Sequence, residues 1–334
     1  MTQFSVVIAA YNQRERLLDA IESVSRQTLP AHEVIVIDDG SSDGTAEAVR
    51  ERFPTVKVIV QENRGKGIAR NHGAFVATGD WLCFLDHDDL WHPEKLAAVS
   101  AALQEAPDVV AVDHDVWIFK ESVDGPDSAW SLKVDFSART LDEALERAAQ
   151  VGAPANDFGY LQRYGYSYDA SLRRVCSTTS ALCIRRDVFF KAGAFNPAQA
   201  NGEDWALSIN VARLGEWRTV PRPLSFQRFL PTSGTSDRAG LVMILSTLAN
   251  HWYSGRPLRE YSRGLDFLEH LPKYAPQYRA LAQAGLWGKL RKRDLTAAAS
   301  IFWFAMLLLP RWRDRLYVLT PPQISWRLGH RRIR

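Results

Sequence analysis

The first hundred residues alternate between two hydrophobic periodicities, and this alternation constrains the fold more than any other feature. Short β-branched apolar runs, typical of buried parallel strands, alternate with segments whose apolar residues recur at helical spacing. The predicted strands are residues 4–10, 34–37, 56–60 and 81–85. The predicted helices are residues 46–52, residues 68–77 and a first helix with Leu17, Leu18, Ile21 and Val24 on one face. This pattern predicts an α/β fold with a mostly parallel sheet flanked by helices.

A polar cluster follows each predicted strand. The clusters are Tyr11-Asn12, Asp38-Asp39, Asn63-Arg64 and Asp86-His87-Asp88. In open α/β sheets the ligand crevice lies beyond the carboxyl ends of the strands. We therefore expect these side chains to converge at one binding site.

The sequence Asp86-His87-Asp88-Asp89 is the strongest local signal for chemistry. Three carboxylates in four positions repel one another unless a cation or a helix start offsets their charge. Hard oxygen ligands favour Mg²⁺ or Mn²⁺, which also bind substrate diphosphates. The alternative is that one of these acids only serves the start of the following helix.

Two glycine-bearing loops give weaker signals. Asp39 in DDGSSDGT can accept hydrogen bonds from a nucleobase or a ribose, but acids are also ordinary turn residues. The loop after Asn63 contains a GxG, but Arg70 breaks the dinucleotide-binding fingerprint. Lys66 and Arg70 can cradle a diphosphate there, or can belong to a solvated basic helix start.

The sequence Glu203-Asp204-Trp205 begins an apolar-periodic helix. Acids are common at a helix N-terminus because the helix dipole favours them. Paired acids beside an exposed tryptophan also describe a catalytic base next to a sugar-stacking platform.

Six motifs occur in the order and at the spacing of one enzyme family. They are SVVIAAYN, VIVIDDGSSDGT, ENRGKGIARNHGAFVATGD, LCFLDHDDLWHPEKL, ALCIRRDVFFKAGAFN and GEDWALSINVARLGEW. Residues 4–225 thus resemble the inverting glycosyltransferases of family 2, which have the GT-A fold, a Rossmann-like sheet flanked by helices. The family's usual GxFD reads Gly193-Ala194-Phe195-Asn196 here, and residues 120–175 carry no family pattern.

The resemblance implies roles for individual residues. Asp86 and Asp88 match the metal-binding DxD motif, with Asp88 as the direct ligand of Mn²⁺ or Mg²⁺. Asp204 matches the general base, and Glu203 and Trp205 fall on the acceptor side. The implied nucleotide-sugar pocket consists of Ala9, Tyr11, Asp39, Arg64, Arg70, Asp86 and His87.

The implied reaction moves a sugar from a nucleotide-sugar, with a UDP-sugar favoured, to a hydroxyl of a glycan or lipid-linked acceptor in cell-surface polysaccharide or glycolipid synthesis. A nucleotidyltransferase is one alternative, but residues 9–12 lack its glycine-rich phosphate loop. The other is a catalytically inactive nucleotide-sugar-binding protein. A homo-oligomer is compatible with the sequence.

Charge divides the chain into two regions. Residues 1–240 hold 25 Lys and Arg against 33 Asp and Glu, whereas residues 241–334 hold 16 against 5. The acidic body argues against nucleic acid as a partner. We expect a catalytic domain over residues 1–230 and a basic, helical C-terminal region over residues 231–334.

The C-terminal region contains a nearly all-apolar stretch, residues 295–309, between clusters of basic residues. It is too short to span a bilayer, and the N-terminus lacks a secretory leader. We therefore expect a cytoplasmic protein whose residues 289–334 contact the membrane surface. The alternative is a helix packed in the core or on a partner subunit.

Overall fold

The computed structural model describes residues 2–121, 134–154, 167–173, 177–197 and 202–229, the helix Trp312–Leu319 and scattered single positions between 283 and 306. The chain divides into two compact units, Met1–Thr247 and Leu248–Arg334. The domain boundary predicted at residue 230 lies outside the described residues.

The N-terminal half of the sheet is parallel, as predicted. Its strands run in the order β3-β2-β1-β4, and each pairs in parallel with its neighbour. Their bounds are Phe4–Ala10 (β1), Glu33–Asp38 (β2), Lys57–Val60 (β3) and Trp81–Asp86 (β4). The helices that follow them are Arg14–Ser25 (α1), Thr45–Arg52 (α2), Lys66–Val76 (α3) and Lys95–Glu105 (α4).

Apolar side chains on both faces hold this sheet between its helices. Leu17, Leu18, Ile21 and Val24 of α1 are buried, which confirms the predicted helix face. On the opposite face α3 lies unusually close to β1, because a Cβ atom at Gly73 would come within 2.4 Å of Val7 Cγ1. The sheet core therefore fixes where α3 begins and which of its residues reach the strand ends.

The second half of the sheet is mixed. Its strands are Leu90–Trp91 (β5), Ala111–Lys120 (β6), Phe136–Ser137 (β7), Cys183–Arg185 (β8) and Trp217–Arg228 (β9). Strand β8 lies antiparallel between β4 and β6, whereas β6 and β9 are parallel. The other helices are Leu141–Val151 (α5), Ser167–Arg173 (α6), Arg186–Lys191 (α7), Glu203–Ala212 (α8) and Trp312–Leu319 (α9).

Two predictions for this half need correction. The sequence pattern at residues 180–184 also predicts a strand, but Thr179–Ala181 form a 3₁₀ turn and the strand, β8, begins only at Cys183. Residues 122–174, whose irregular pattern predicts no clear element, contain α6 and, earlier in the chain, β7 and α5. Strand β7 and helix α5 pack around the end of β6 in an apolar cluster that includes Phe119, Phe136 and Leu141.

Among the described residues, no helix is long and apolar enough to cross a membrane. Most of the apolar stretch at residues 295–309 lies outside the described residues. The membrane contact predicted for residues 289–334 stays a prediction.

Candidate active site

The strand ends meet at one edge of the sheet, as expected. In the parallel register Ala10 pairs with Asp38, and Ala9 pairs with Asp86. The side chains that follow β1, β2 and β4 are therefore neighbours. His87 lies against the first strand, with Nδ1 3.3 Å from the carbonyl oxygen of Ala9.

The loops after β1 and β2 are bonded to each other. Asn12 adopts a left-handed backbone conformation with φ of 52°, which asparagine tolerates better than most residues. Its amide donates to Ser41 Oγ at 2.9 Å, and its Oδ1 accepts from the Ser42 amide at 2.8 Å. Tyr11 stands at this rim with 48% of its surface exposed.

Asp39 organises the glycine-bearing loop that precedes α3. Its buried carboxylate accepts hydrogen bonds from Gln61 Nε2 at 2.7 Å, the Arg64 amide at 3.0 Å and the Gly65 amide at 2.8 Å. Arg64 itself is exposed. The predicted nucleobase contact of Asp39 stays a prediction, and its observed bonds show a second role in holding the loop.

Arg70 is buried and links the end of β4 to the start of α8. Its guanidinium is 4% exposed and stacks over the Phe195 ring at 5.2 Å. One amino group donates to Glu203 Oε1 at 2.7 Å, and the other donates to Asp86 Oδ1. Lys66, which is exposed, also contacts Glu203 Oε1 at 2.7 Å. A continuous chain of charges thus connects the end of β4 with the start of α8.

The acids at the end of β4 have different proton affinities. Burial alone would raise the pKa of Asp86, but the charges of Arg70 and Lys66 outweigh it and lower the pKa. Burial and the neighbouring charge of Asp86 raise the pKa of Asp88, although His87 acts in the opposite direction. A cation at this turn would therefore favour the ionised form of Asp88.

Asp204 lies in the first turn of α8, which begins after Gly202 with a φ of 72°. Its Oδ1 accepts from the Trp205 amide at 2.8 Å. Burial and the charge of Glu203 raise the pKa of Asp204 to about 6, although Lys66 acts to lower it. A carboxylate with this pKa is ionised at neutral pH and is a stronger base than an ordinary aspartate.

Comparison with known proteins identifies the first half of the chain. The family model described as "Glycosyl transferase family 2" matches residues 5–155. An uncharacterized glycosyltransferase of Nostoc is 30% identical over 231 residues, covering 68% of this chain and 64% of that protein. The chain carries a glycosyl transferase family 2 domain.

Two further proteins are similar to this chain, one in sequence and one in structure. The succinoglycan biosynthesis protein ExoO of Rhizobium meliloti is 35% identical over 171 residues, which cover 47% of this chain and 45% of ExoO. A mannosyltransferase from Pyrobaculum calidifontis, solved with GDP-Man and Mn²⁺, superposes with a TM-score of 0.52. It is 19% identical, and the superposition covers 97% of this chain and 82% of that chain. This structural likeness confirms the predicted GT-A fold. The chain spans less than two thirds of the length of both curated relatives.

Three predictions for the candidate site change with the geometry. Trp205 is 3% exposed, and its indole N–H donates to the Ser171 carbonyl at 2.6 Å, so the prediction of an exposed stacking platform is wrong. Glu203 is 2% exposed and bonded to Arg70, which places it inside the protein and not at an open acceptor surface. Arg70 binds two carboxylates, which leaves Arg64 and Lys66 as the exposed cations of this loop.

The sequence reasoning missed the residues that hold the acidic turn in place. Arg228 on β9 donates from Nε to the Asp88 carbonyl at 2.8 Å, and Ser180 Oγ donates to Asp89 Oδ2 at 2.6 Å. Both lie more than ninety positions from this turn along the chain. The signal available in the sequence was Asp89, a third acid beside Asp86 and Asp88. A buried carboxylate needs hydrogen-bond donors, so its presence indicates donors from elsewhere in the chain.

Proposed function

We propose that this protein is an inverting glycosyltransferase that moves a sugar from a nucleoside diphosphate onto an acceptor hydroxyl. One observation carries the proposal: Arg70 bonds both Asp86, at the end of β4, and Glu203, the residue next to the candidate base Asp204. This link supports a proton acceptor and a diphosphate-binding turn at the same edge of the sheet. The family 2 match supports the reaction class.

The proposed reaction is a single displacement. The acceptor oxygen forms a bond to the anomeric carbon while the bond from that carbon to the diphosphate oxygen breaks. Asp204 takes the hydroxyl proton, and the nucleoside diphosphate leaves with the bonding electrons. Attack opposite the leaving group inverts the configuration, and base assistance of this kind typically contributes about 10² to 10⁴ in rate.

The acids at the end of β4 fit a divalent cation. Among the described residues, no group of three or more His, Cys, Asp or Glu side chains could enclose a metal ion. Mg²⁺ and Mn²⁺ at nucleotide sites need only one or two carboxylates, because substrate phosphates and water complete the shell. Asp88 and Asp86 would hold the ion, and the mannosyltransferase structure contains Mn²⁺. When bound, the ion would neutralise charge on the departing diphosphate.

The relatives and the exposed cations support a choice of donor and acceptor classes. Arg64 and Lys66 would contact the diphosphate, and Tyr11 and Asp39 would contact the nucleoside. A UDP-sugar is the favoured donor, with GDP-sugars next because the mannosyltransferase structure contains GDP-Man. The succinoglycan relative favours a glycan or lipid-linked acceptor of cell-surface polysaccharide synthesis.

A thermal-shift screen of UDP-, GDP- and dTDP-sugars tests the proposal, with Mn²⁺ or EDTA in parallel. A ligand at 100 times its dissociation constant stabilises by about 2.7 kcal/mol, so a true donor gives a clear shift. We expect a shift with one nucleotide class, lost in EDTA, and slow donor turnover that releases the nucleoside diphosphate. Binding without turnover would favour an inactive sensor. Pyrophosphate release from a nucleoside triphosphate and a sugar phosphate would favour a nucleotidyltransferase.

A further inference from the structure

The third acid of the turn after β4 differs from the first two. Asp89 is 3% exposed, and its two carboxylate oxygens both accept hydrogen bonds from the protein. Oδ2 accepts from Ser180 Oγ at 2.6 Å, and Oδ1 accepts from the Arg228 amide at 2.8 Å. This carboxylate is therefore committed to the scaffold.

Ser180 joins the two ends of the acidic turn. It is fully buried in the 3₁₀ turn Thr179–Ala181, which packs beside β4. Its Oγ accepts a hydrogen bond from the Asp86 amide at 3.1 Å and donates to Asp89. One hydroxyl thus bridges the first and the last acid without using a carboxylate oxygen of Asp86 or Asp88.

The carbonyl oxygen of Ser180 is held just as firmly. It accepts from Trp91 Nε1 at 2.9 Å and from Lys95 Nζ at 2.5 Å. Lys95 is fully buried, and its Nζ lies 3.7 Å from the centroid of the Trp91 ring. A buried ammonium group requires such partners, so this arrangement is costly to rearrange. Ser180 is consequently a fixed point against which the acidic turn is aligned.

Arg228 fixes the middle of the turn. Its Nε donates to the Asp88 carbonyl at 2.8 Å, and Nη1 donates to Glu121 Oε1 at 2.8 Å. The turn is therefore bonded at each of its three acids, through the Asp86 amide, the Asp88 carbonyl and the Asp89 side chain. None of these bonds uses the Asp88 carboxylate.

We propose that Ser180 is a positioning residue of the nucleotide-sugar site, and that Asp89 is its structural counterpart and not a metal ligand. Ser180 ties the Asp86 amide to the Asp89 carboxylate, and so holds the turn on which the carboxylates of Asp86 and Asp88 repel each other. The inference rests on the proposed function. It predicts that loss of one buried hydroxyl, which itself touches no substrate, weakens metal and nucleotide binding.

The chain offers a closely matched control for this test. Ser23 is also fully buried, and its Oγ accepts from the Trp91 amide at 3.0 Å and donates to the Ala20 carbonyl at 2.6 Å. Ser180→Ala and Ser23→Ala each remove one accepted and one donated hydrogen bond from the same neighbourhood. Only Ser180→Ala frees the acidic turn.

The measurements are Mn²⁺ binding, followed by the electron paramagnetic resonance of free Mn²⁺ with UDP or GDP present, and the kinetics of donor turnover. We expect both variants to lower the melting temperature to a similar extent. Ser180→Ala should weaken Mn²⁺ binding at least about tenfold, as loss of a group that orients a metal ligand typically does. Ser23→Ala should bind Mn²⁺ like the wild-type protein.

Equal Mn²⁺ affinity in the two variants would overturn the inference while leaving the proposed function intact. A wild-type protein that binds neither Mn²⁺ nor nucleotide would overturn both. If Ser180→Ala does not fold, Asp89→Asn carries the test, because its amide oxygen can accept from the Arg228 amide and its amide NH₂ can donate to Ser180 Oγ, so the turn stays tied while the carboxylate is removed. We expect that variant to retain Mn²⁺ binding, and its complete loss in folded protein would make Asp89 a ligand and overturn the inference.

Discussion

Buried charge at the site is balanced by a few specific side chains. Arg70 neutralises Glu203 and Asp86 together, and Lys66 adds a second cation on Glu203 from the solvent side. Removing one partner of such a pair leaves the other charge buried without compensation. We therefore expect stability and turnover to depend on the same arginine.

Replacing Arg70 with alanine should destabilise the protein strongly. Breaking a buried ion pair from one side costs about 3–5 kcal/mol in the free energy of unfolding, which urea denaturation measures. Arg64→Ala is the control, because the Arg64 side chain is exposed. It should change the free energy of unfolding by no more than about 0.5 kcal/mol. Equal effects of the two variants would contradict the buried network.

The pH dependence of turnover should follow Asp204. Because the pKa of Asp204 is raised to about 6, its base form is lost as the pH falls through that value, and kcat should fall with it. Glu203→Gln removes a like charge that raises this pKa, so the acidic limb of the profile should move to lower pH. An acidic limb that stays in place in Glu203→Gln would mean that another group controls turnover.

At the scale of elements, Gly73 allows α3 to pack closely against β1. Gly73 sits where a Cβ atom would be 2.4 Å from Val7 Cγ1, whereas a Cβ at Gly67 in the same helix would meet nothing closer than 3.7 Å. Gly73→Ala should therefore lower the free energy of unfolding by about 1–3 kcal/mol through overpacking.

Gly67→Ala is the control in that helix and should be neutral or stabilising by up to about 1 kcal/mol, because alanine favours helix. Thermal or urea denaturation of the two variants decides the point. A Gly73→Ala protein as stable as Gly67→Ala would contradict the close packing of α3 on β1.

Local pattern predicted the elements that repeat a simple period and missed those that depend on distant contacts. The four parallel strands and α1 carry clear periodicity, so the strand bounds were predicted within two residues and the buried face of α1 was predicted correctly. Strand β9 contains Pro221 and Pro223, which normally argue against a strand. It forms because an irregularity in the β6 register, at His114 and Asp115, accommodates them.

The same limit applies to the site. The acids at strand ends were predictable because strand ends converge in any parallel sheet. Their partners were not, because Ser180 in the 3₁₀ turn before β8 and Arg228 on β9 reach the turn only through sheet pairing, which no local pattern encodes. Trp205 was misjudged because exposure in a helix depends on α6, which packs against it.

At the scale of the whole molecule, the C-terminal region combines an excess of basic charge with exposed apolar side chains. The last 94 residues hold 16 basic side chains against 5 acidic ones. Among the described positions there, Leu295 is 69% exposed and Leu316 is 55% exposed. Basic side chains beside exposed apolar ones favour contact with an anionic membrane surface.

Liposome flotation tests this prediction for residues 289–334. The full-length protein should float with vesicles containing anionic lipid at low salt and less so at high salt, because the attraction is partly electrostatic. A truncation after Gly288 should remain in the dense fraction. If the full-length protein does not float either, the region has no membrane role.

The central claim is that Asp204 accepts the proton of the acceptor hydroxyl, and its isosteric replacement tests the claim most directly. Turnover and donor affinity are measured for Asp204→Asn, with Asp108→Asn in an exposed turn as the control. We predict that Asp204→Asn binds the donor like the wild-type protein but loses at least about a hundredfold in kcat, because the lost interaction is made only in the transition state. A folded Asp204→Asn protein with wild-type kcat would contradict the account.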